Sequence, residues 1–509
     1  MNGTDLLLGS AALERYGTRT ALLCGDDAPT YAELAAQVRR SAGALCALGV
    51  RPGDRVLLLM RDTSEFAAAW LGTVLCGAVA VALNNKLSEA EYRHILDDSA
   101  ARLAIVEDLF AAARPDLTAE LARDGRVVIA GGGAAGAPSW RERVQLAAEA
   151  APFEAGPDTP ALALYSSGTT GRPKGIVHSH KGFACLAKAF RALGLGEGER
   201  VFTTSRFFFA YGLEHGLLAP LAMGMTAVVC PDWPDTEAVI GLVARHRPVA
   251  LFSVPTVYRR LLAEPRERLA PFRTLRRCVA GGERMSSQLV EQWHLAVGGE
   301  LLNLYGMSET LCACMLTPPG TSNGVRTGKP LEGVEVRLRD AQNREPPEGE
   351  PGVLWVRHPA QAAAYANLPE QTREQFRDGW FCSRDMFVRD AGGFFVHQGR
   401  SDELMKIAGQ WVQPGELEEV AALEPAVSEA ACVPVVDDDG LERLALFVTA
   451  RADTEAARKA AAAACERSLP RHKRPKWVRA VPELPRTATG KVQRYRLREM
   501  LERELGRRD

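Results

Sequence analysis

The chain has 509 residues, 46% of them hydrophobic and 25% charged, with 62 basic and 63 acidic side chains and a net charge of −1. It is too long for one hydrophobic core and requires two or more domains. So even a charge balance offers no field to draw in nucleic acid or an anionic membrane, and neither is expected as a partner. The eleven cysteines include no CxxC pair, and Cys312-Ala313-Cys314 has the wrong spacing for a zinc knuckle. They read as reduced, mostly buried thiols of a cytoplasmic protein. Met1 to Tyr16 lacks the basic start and sustained apolar core of a signal peptide.

In chain order, Thr30 to Leu48 predicts an amphipathic helix with a threonine N-cap, and Arg55 to Met60 a strand. Phe66 to Leu83 is uncharged and long enough to cross a bilayer. Gly72, Thr73 and Gly77 interrupt it, so a helix over Ser64–Leu75 and a buried strand over Ala78–Leu83 explain it better. Ala104–Val106 and Val127–Ala130 are further short apolar runs, followed by a Gly/Ala-rich loop from Gly131 to Pro138. Ala161–Leu164 reads as a buried strand. Val201–Thr204, Thr226–Cys230, Val249–Ser253, Leu275–Ala280 and Glu300–Leu304 continue the strand series. Helical stretches lie near Gly212–Met223, Thr236–Arg245 and Ser286–Ala296. Alternation of this kind predicts an α/β fold with parallel sheets covered by helices.

Beyond Pro319 the pattern turns to alternating strands at Val334–Leu338, Val353–Val356 and Phe387–Val396, with a hairpin turn at Gly392-Gly393. The last hundred or so residues carry helix, strand, strand, helix, strand and helix signals, enough for a small α+β domain. The expected division is a large N-terminal domain of parallel-sheet α/β subdomains (residues 1–400, β-rich over about 320–400) and a small C-terminal domain (401–509).

The chemistry centres on Tyr165-Ser166-Ser167-Gly168-Thr169-Thr170-Gly171-Arg172-Pro173-Lys174-Gly175. Backbone N–H groups left open by glycine, four aliphatic hydroxyls and one ammonium suit polyphosphate. It is not a Walker A loop, because Arg172 and Pro173 separate the second glycine from the lysine. Composition alone fits a surface loop equally well.

The order of its residues resembles the phosphate loop of the adenylate-forming superfamily, which includes acyl-CoA synthetases, peptide-synthetase adenylation domains and luciferases. Further segments extend the resemblance in the family's order. Arg206-Phe207-Phe208-Phe209-Ala210-Tyr211-Gly212 is similar to the aromatic border of the acyl pocket, and Gly281-Gly282-Glu283 to one adenine wall. Asn303-Leu304-Tyr305-Gly306-Met307-Ser308-Glu309-Thr310 is similar to the adenine and magnesium segment. Gly379-Trp380-Phe381, Arg384-Asp385 and Gly399-Arg400-Ser401-Asp402 resemble the ribose and hinge segments, and Pro485 to Lys491 the catalytic-lysine loop. No carrier domain is left over.

The resemblance implies that a carboxylate attacks the α-phosphate of ATP, releases pyrophosphate, and passes from AMP to coenzyme A. Ser166, Ser167, Gly168, Thr169, Thr170 and Lys174 would hold phosphate, Glu309 would hold Mg²⁺, and Thr310 would donate to the α-phosphate. By itself Glu309 would pass for a helix-start acid. Tyr305 would stack on adenine beside Gly282, Glu283, Asn303, Leu304 and Gly306; Asp385 and Arg400 would bind ribose. Lys491 would reach both the substrate carboxylate and the α-phosphate; without the motif it is a solvated lysine in a basic tail. The implied C-terminal domain is a mobile lid pivoting near Ser401-Asp402, with Lys406, Gly409 and Trp411 brought up for pantetheine. Arg471, Lys473, Arg474 and Lys476 read either as a CoA-phosphate site or as a solvated patch. His178 and His180 read as packing and helix-start residues, not metal ligands.

Within the superfamily the nearest resemblance is to benzoate-CoA and related aryl-CoA ligases. Ala210, Tyr211, Gly281, Leu304 and Cys312 would then border a flat acyl pocket. The aromatic segment lacks the aspartate that pairs an α-amino group, which argues against amino acids. Cys312 stands where benzoate ligases tend to have histidine, which points to a ring-substituted acid such as anthranilate or a hydroxybenzoate. The alternatives are a stand-alone adenylation domain serving an acyl-carrier or acyltransferase partner, and a non-catalytic ligand-binding homologue.

Overall fold

The computed structural model describes residues 1–131, 136–167, 172–401, 405–407, 410–486 and 492–506. Strands β1 (Leu22–Cys24), β2 (Arg55–Leu59), β3 (Val79–Ala82), β4 (Leu103–Glu107), β5 (Val127–Ala130), β6 (Pro160–Ser167), β7 (Pro173–Ser179), β8 (Arg200–Thr203), β9 (Thr226–Val229), β10 (Ala250–Ser253), β11 (Arg277–Gly281) and β12 (Leu301–Tyr305) build two sheets. The first runs Ala364–Tyr365, β7, β6, β3, β2, β4, β5; the second runs β1, β9, β8, β10, β11, β12 and then two two-residue strands. Pairings from β6 through β5 and from β1 through β12 are parallel. The expected α/β class with parallel sheets is what the chain forms.

These strands are apolar throughout because helices cover the sheets, as β3 (Val-Ala-Val-Ala, all buried) illustrates. Thr30 caps the helix Tyr31–Ala47 in a reciprocal box with Glu33. The helix Ser64–Leu75, capped by Thr63, is apolar all round and buried nearly throughout, so the uncharged stretch is core. No helix among the described residues is long and apolar enough to cross a membrane. The eleven cysteines are all free thiols.

Chain contacts divide the protein into two compact units. The first comprises Met1–Arg337, Trp355–Ser383 and Arg389–Val396; the second comprises Leu338–Leu354, Arg384–Val388 and His397–Asp509. Within the second, a three-stranded sheet (Val427–Val436, Glu442–Ala450, Trp477–Ala480) carries the helices Pro414–Ala422, Thr454–Ser468 and Arg494–Glu504. That is the helix, strand, strand, helix, strand, helix order read from sequence. The expected helix over Gly212–Met223 is broken: α-helical Ala210–Leu213 passes into a π-helical turn at Glu214–Leu218 before Ala219–Ala222. Pro220 has no N–H to continue the regular ladder, and the wider turn absorbs the mismatch.

Gly72 sits where two helices approach closely. A Cβ there would come within 2.7 Å of Ser41 Cβ and 2.9 Å of the Val38 carbonyl. Alanine usually favours a helix over glycine by about 1 kcal/mol; here overpacking outweighs that gain. Gly72→Ala should lower the thermal unfolding midpoint by roughly 2–6 °C. A rise in the calorimetric midpoint would contradict this packing.

Candidate active site

The phosphate-loop motif spans the end of β6 and the start of β7, which pair antiparallel. Strands β6 and β7 pair with Ser166 opposite Lys174. Gly168, Thr169 and Thr170 lie outside the described residues, and of Ser167 the side chain does. Lys174 sends its ammonium to Glu309 Oε1 at 3.2 Å, across 135 positions of sequence. Sequence reasoning named both residues. It missed Tyr365, whose hydroxyl donates to the same oxygen at 2.7 Å and whose ring lies 3.8 Å beneath the Lys174 ammonium. A tyrosine on a two-residue strand against β7 has no local signature.

Glu309 belongs to a short 3₁₀ turn, Ser308–Thr310, after β12. His178 on β7 fixes that turn from behind, with its two ring nitrogens 2.7 Å from the Ser308 carbonyl and 3.2 Å from that of Ala360. The buried Thr310 hydroxyl turns inward, donating to the Cys312 carbonyl at 2.9 Å and accepting from the Cys314 thiol at 3.3 Å. His180 opens a 3₁₀ helix and accepts from the Gly3 N–H at 2.9 Å. No group of three or more metal-ligating side chains occurs among the described residues.

The segments that resemble the adenine and acyl segments occupy neighbouring strand ends. Gly281 pairs with Leu304, and a Cβ on Gly281 would meet both the Leu304 carbonyl and the Tyr211 ring at 3.0 Å. Only glycine lets those groups come so close. Gly282 takes a positive φ of 80°. Glu283 accepts from the Thr256 hydroxyl (2.7 Å) and N–H (3.2 Å), which ties the Gly281–Glu283 turn to the helix Pro255–Leu262. Asn303 and Leu304 are buried on β12, Tyr305 is half-buried, and Gly306 follows with Ala313 Cα 3.3 Å from where its Cβ would stand.

The aromatic segment is anchored by a buried ion pair that sequence reasoning also missed. Arg206 Nε lies 3.1 Å from Asp62, and its other nitrogens donate to the carbonyls of Cys230, Pro231 and Asp232. Asp62 in turn accepts from Phe207 N–H at 3.1 Å. Burial pushes the Asp62 carboxyl up to about 7, against the pull of Arg206. From this anchor the chain presents Tyr211 at the surface of Gly281, with the Tyr211 hydroxyl donating to the carbonyls of Ser253 and Val279. Cys312 is buried, and burial raises its thiol well above the usual range.

In the second unit, Asp385 and Arg400 meet at 3.4 Å, with His397 also beside Asp385. Lys473 pairs with Glu416 and Lys476 with Asp437, so the basic cluster there is partly engaged within its own unit. Asp402, Gly409 and Lys491 lie outside the described residues, and of Lys406 and Trp411 the side chains do.

Residues 10–366 match the family described as AMP-binding enzyme, and residues 416–491 match the AMP-binding enzyme C-terminal domain. The chain belongs to the AMP-binding enzymes. It is 40% identical to a 3-hydroxybenzoate–CoA/4-hydroxybenzoate–CoA ligase of Thauera aromatica over 99% of this chain and 98% of the relative. It superposes on an anthranilate CoA ligase solved with anthranoyl-AMP at a TM-score of 0.91, with 30% identity and coverage of 99% and 98%. A benzoate CoA ligase from Burkholderia xenovorans LB400 gives a TM-score of 0.88 at 33% identity, covering 98% of this chain and all (100%) of that one.

One buried acid gives this AMP-binding enzyme a pH-dependent contribution to its stability. Burial pushes the Glu214 carboxyl from 4.5 up to about 8. A folded state that holds the proton more tightly than the unfolded chain is stabilised at low pH and loses that contribution as pH rises from 4.5 through about 8. Glu214→Gln should therefore flatten the fall in unfolding midpoint across this range. An unchanged pH profile would show that Glu214 ionises normally.

Proposed function

We propose that the chain is an ATP-dependent, AMP-forming aryl-carboxylate–CoA ligase. Its acid would be a ring-substituted benzoate, a hydroxybenzoate or anthranilate. The observation that carries the reading is the meeting of Lys174 and Glu309, 135 positions apart, beside a hydroxyl-rich hairpin. The relatives named for hydroxybenzoates and anthranilate support the aromatic acid.

The carboxylate and ATP are both anions, so their meeting depends on donors and cations placed in advance. Ser166, Ser167, Gly168, Thr169 and Thr170 donate to phosphate oxygens, and Lys174 offsets their charge. Glu309 suits Mg²⁺: both of its described contacts fall on Oε1, and Mg²⁺ uses one or two carboxylates with phosphate oxygens and water. When bound, the ion supplies charge compensation on those oxygens. Thr310 donates to the α-phosphate once its hydroxyl turns from the Cys312 carbonyl. Gly282, Glu283, Asn303, Leu304, Tyr305 and Gly306 bound the adenine, and Asp385 with Arg400 bind ribose.

Lys491 stabilises the charge that builds between the acid's oxygen and the α-phosphorus as pyrophosphate leaves. The CoA sulfur then attacks the acyl carbon and AMP departs. The boundary near Ser401-Asp402, a pivot there, and the roles of Lys406, Gly409 and Trp411 toward pantetheine belong to the same proposal, as does a cytoplasmic setting.

The test is to incubate the protein with ATP, Mg²⁺ and a panel of benzoic acids, with either CoA or a phosphopantetheinylated carrier protein, and to identify the thioester. An aryl-CoA product is expected; transfer to the carrier alone would replace the acceptor, and no adenylate from any acid would favour a binding homologue. In the same assay Lys491→Ala should cut pyrophosphate release by roughly 10²–10³-fold while largely sparing thioester formation from supplied acyl-adenylate. Wild-type release by that variant would remove Lys491 from the chemistry.

A further inference from the structure

Behind the aromatic segment the fold buries an acid that the reaction above does not use. Glu214 follows Tyr211 by three residues and is 2% exposed. It opens the π-helical turn, where the Ala219 N–H bonds to the Glu214 carbonyl instead of one residue nearer. A single widened turn of this kind re-aims the side chains that follow and recurs at functional sites.

The carboxyl crosses to the segment after Glu309. Its Oε2 accepts from the Ala313 N–H at 3.0 Å, and the Cys312 thiol lies against the same group. No lysine or arginine is among its described partners. The adjacent His215 brings its Nδ1 to 3.5 Å from Glu214 Oε2 but is no counter-charge: that nitrogen is 2.9 Å from the Tyr211 carbonyl, and burial among Phe190, Phe252 and Tyr211 holds the ring down to about 4. A buried carboxyl with one N–H bond and no cation is costly. Where packing is the whole requirement, an apolar residue serves better.

The place is informative. Glu214 bridges to Cys312 and Ala313, and Ala313 packs against Gly306, while Tyr211 on the preceding turn closes over Gly281 and Leu304. Tyr211, Gly281, Leu304 and Cys312 are among the residues to which an acyl pocket is assigned above. Cys312, a small side chain, is the pocket residue that lies against the Glu214 carboxyl.

We propose that Glu214 is a specificity residue that hydrogen-bonds a hydroxyl group on the aromatic ring of the acid substrate. This rests on the aryl-acid reading. A neutral carboxylic acid offers one O–H and one acceptor oxygen, and a phenolic hydroxyl both donates and accepts, so the two satisfy each other without a net charge. An aryl amine donates but accepts poorly, because its lone pair is delocalised into the ring. A second carboxylate on the ring would add an anion beside the acid. The pocket should thus favour a hydroxybenzoate over benzoate, anthranilate or a phthalate.

The experiment compares kcat/KM for thioester formation from benzoate, 3-hydroxybenzoate, 4-hydroxybenzoate and 2-aminobenzoate in wild type, Glu214→Gln and Glu214→Leu. Wild type should prefer at least one hydroxybenzoate to benzoate. Glu214→Leu should lower that preference by roughly 10–100-fold, because an unmet hydroxyl is left in the pocket. Glu214→Gln, which still donates and accepts, should keep part of it. A uniform fall for all acids with the ratio intact would overturn the proposal, as would a wild type indifferent to the hydroxyl; either leaves the aryl ligase reading standing. If the leucine variant does not fold, equilibrium binding of hydroxybenzoate and benzoate to the glutamine variant decides the same ratio, and an unchanged ratio overturns it. No aryl thioester from wild type with any of the four acids would overturn both readings.

Discussion

The first unit is organised about one ammonium–carboxylate pair. Lys174 comes from the end of the first sheet and Glu309 from the turn that ends the second, and they meet at 3.2 Å with both side chains mostly shielded from water. Shielding strengthens the attraction but also raises the cost of leaving either charge alone. Tyr365 meets that cost from both sides, with its hydroxyl on the carboxylate and its ring under the ammonium. His178 adds a fourth contact through the Ser308 carbonyl. The two sheets are thereby held with a phosphate-loop hairpin facing an acid, and the rest of the proposed chemistry requires that arrangement.

A second buried pair does comparable positioning for the aromatic segment. Arg206 and Asp62 are almost wholly enclosed, and three carbonyls accept from the terminal nitrogens of the guanidinium. Removing one partner of such a pair typically costs about 3–5 kcal/mol, because the other is left buried and uncompensated. Rigid anchoring of this sort is what lets Tyr211 and Gly281 keep close quarters. The same segment carries Glu214 to Ala313.

Much of this was legible in the sequence, for identifiable reasons. Ser64–Leu75 announced itself by an N-cap and unbroken apolarity, and the strands by short apolar runs between turn residues. The order of elements after Pro414 followed from strong local periodicities. The ends of the Lys174–Glu309 pair stood out because the motifs that hold them are locally dense. What stayed hidden depends on distant pairing: Tyr365 meets a residue 56 positions away, Phe207 a residue 145 away, and Glu214 a residue 99 away. No local pattern marks such partners. The broken helix at Glu214 was misread because apolar spacing does not distinguish a regular turn from a widened one, although Pro220 was the available warning.

The chemistry proposed for this cleft joins an aryl carboxylate to the α-phosphate of ATP. The most direct measurement withholds CoA and follows labelled pyrophosphate into ATP in the presence of Mg²⁺. Incorporation that appears with an added hydroxybenzoate and vanishes without it is the predicted result, because reversal requires an acyl-adenylate held on the protein. Exchange that ignores the acid, or none with any aryl carboxylate, would contradict the account.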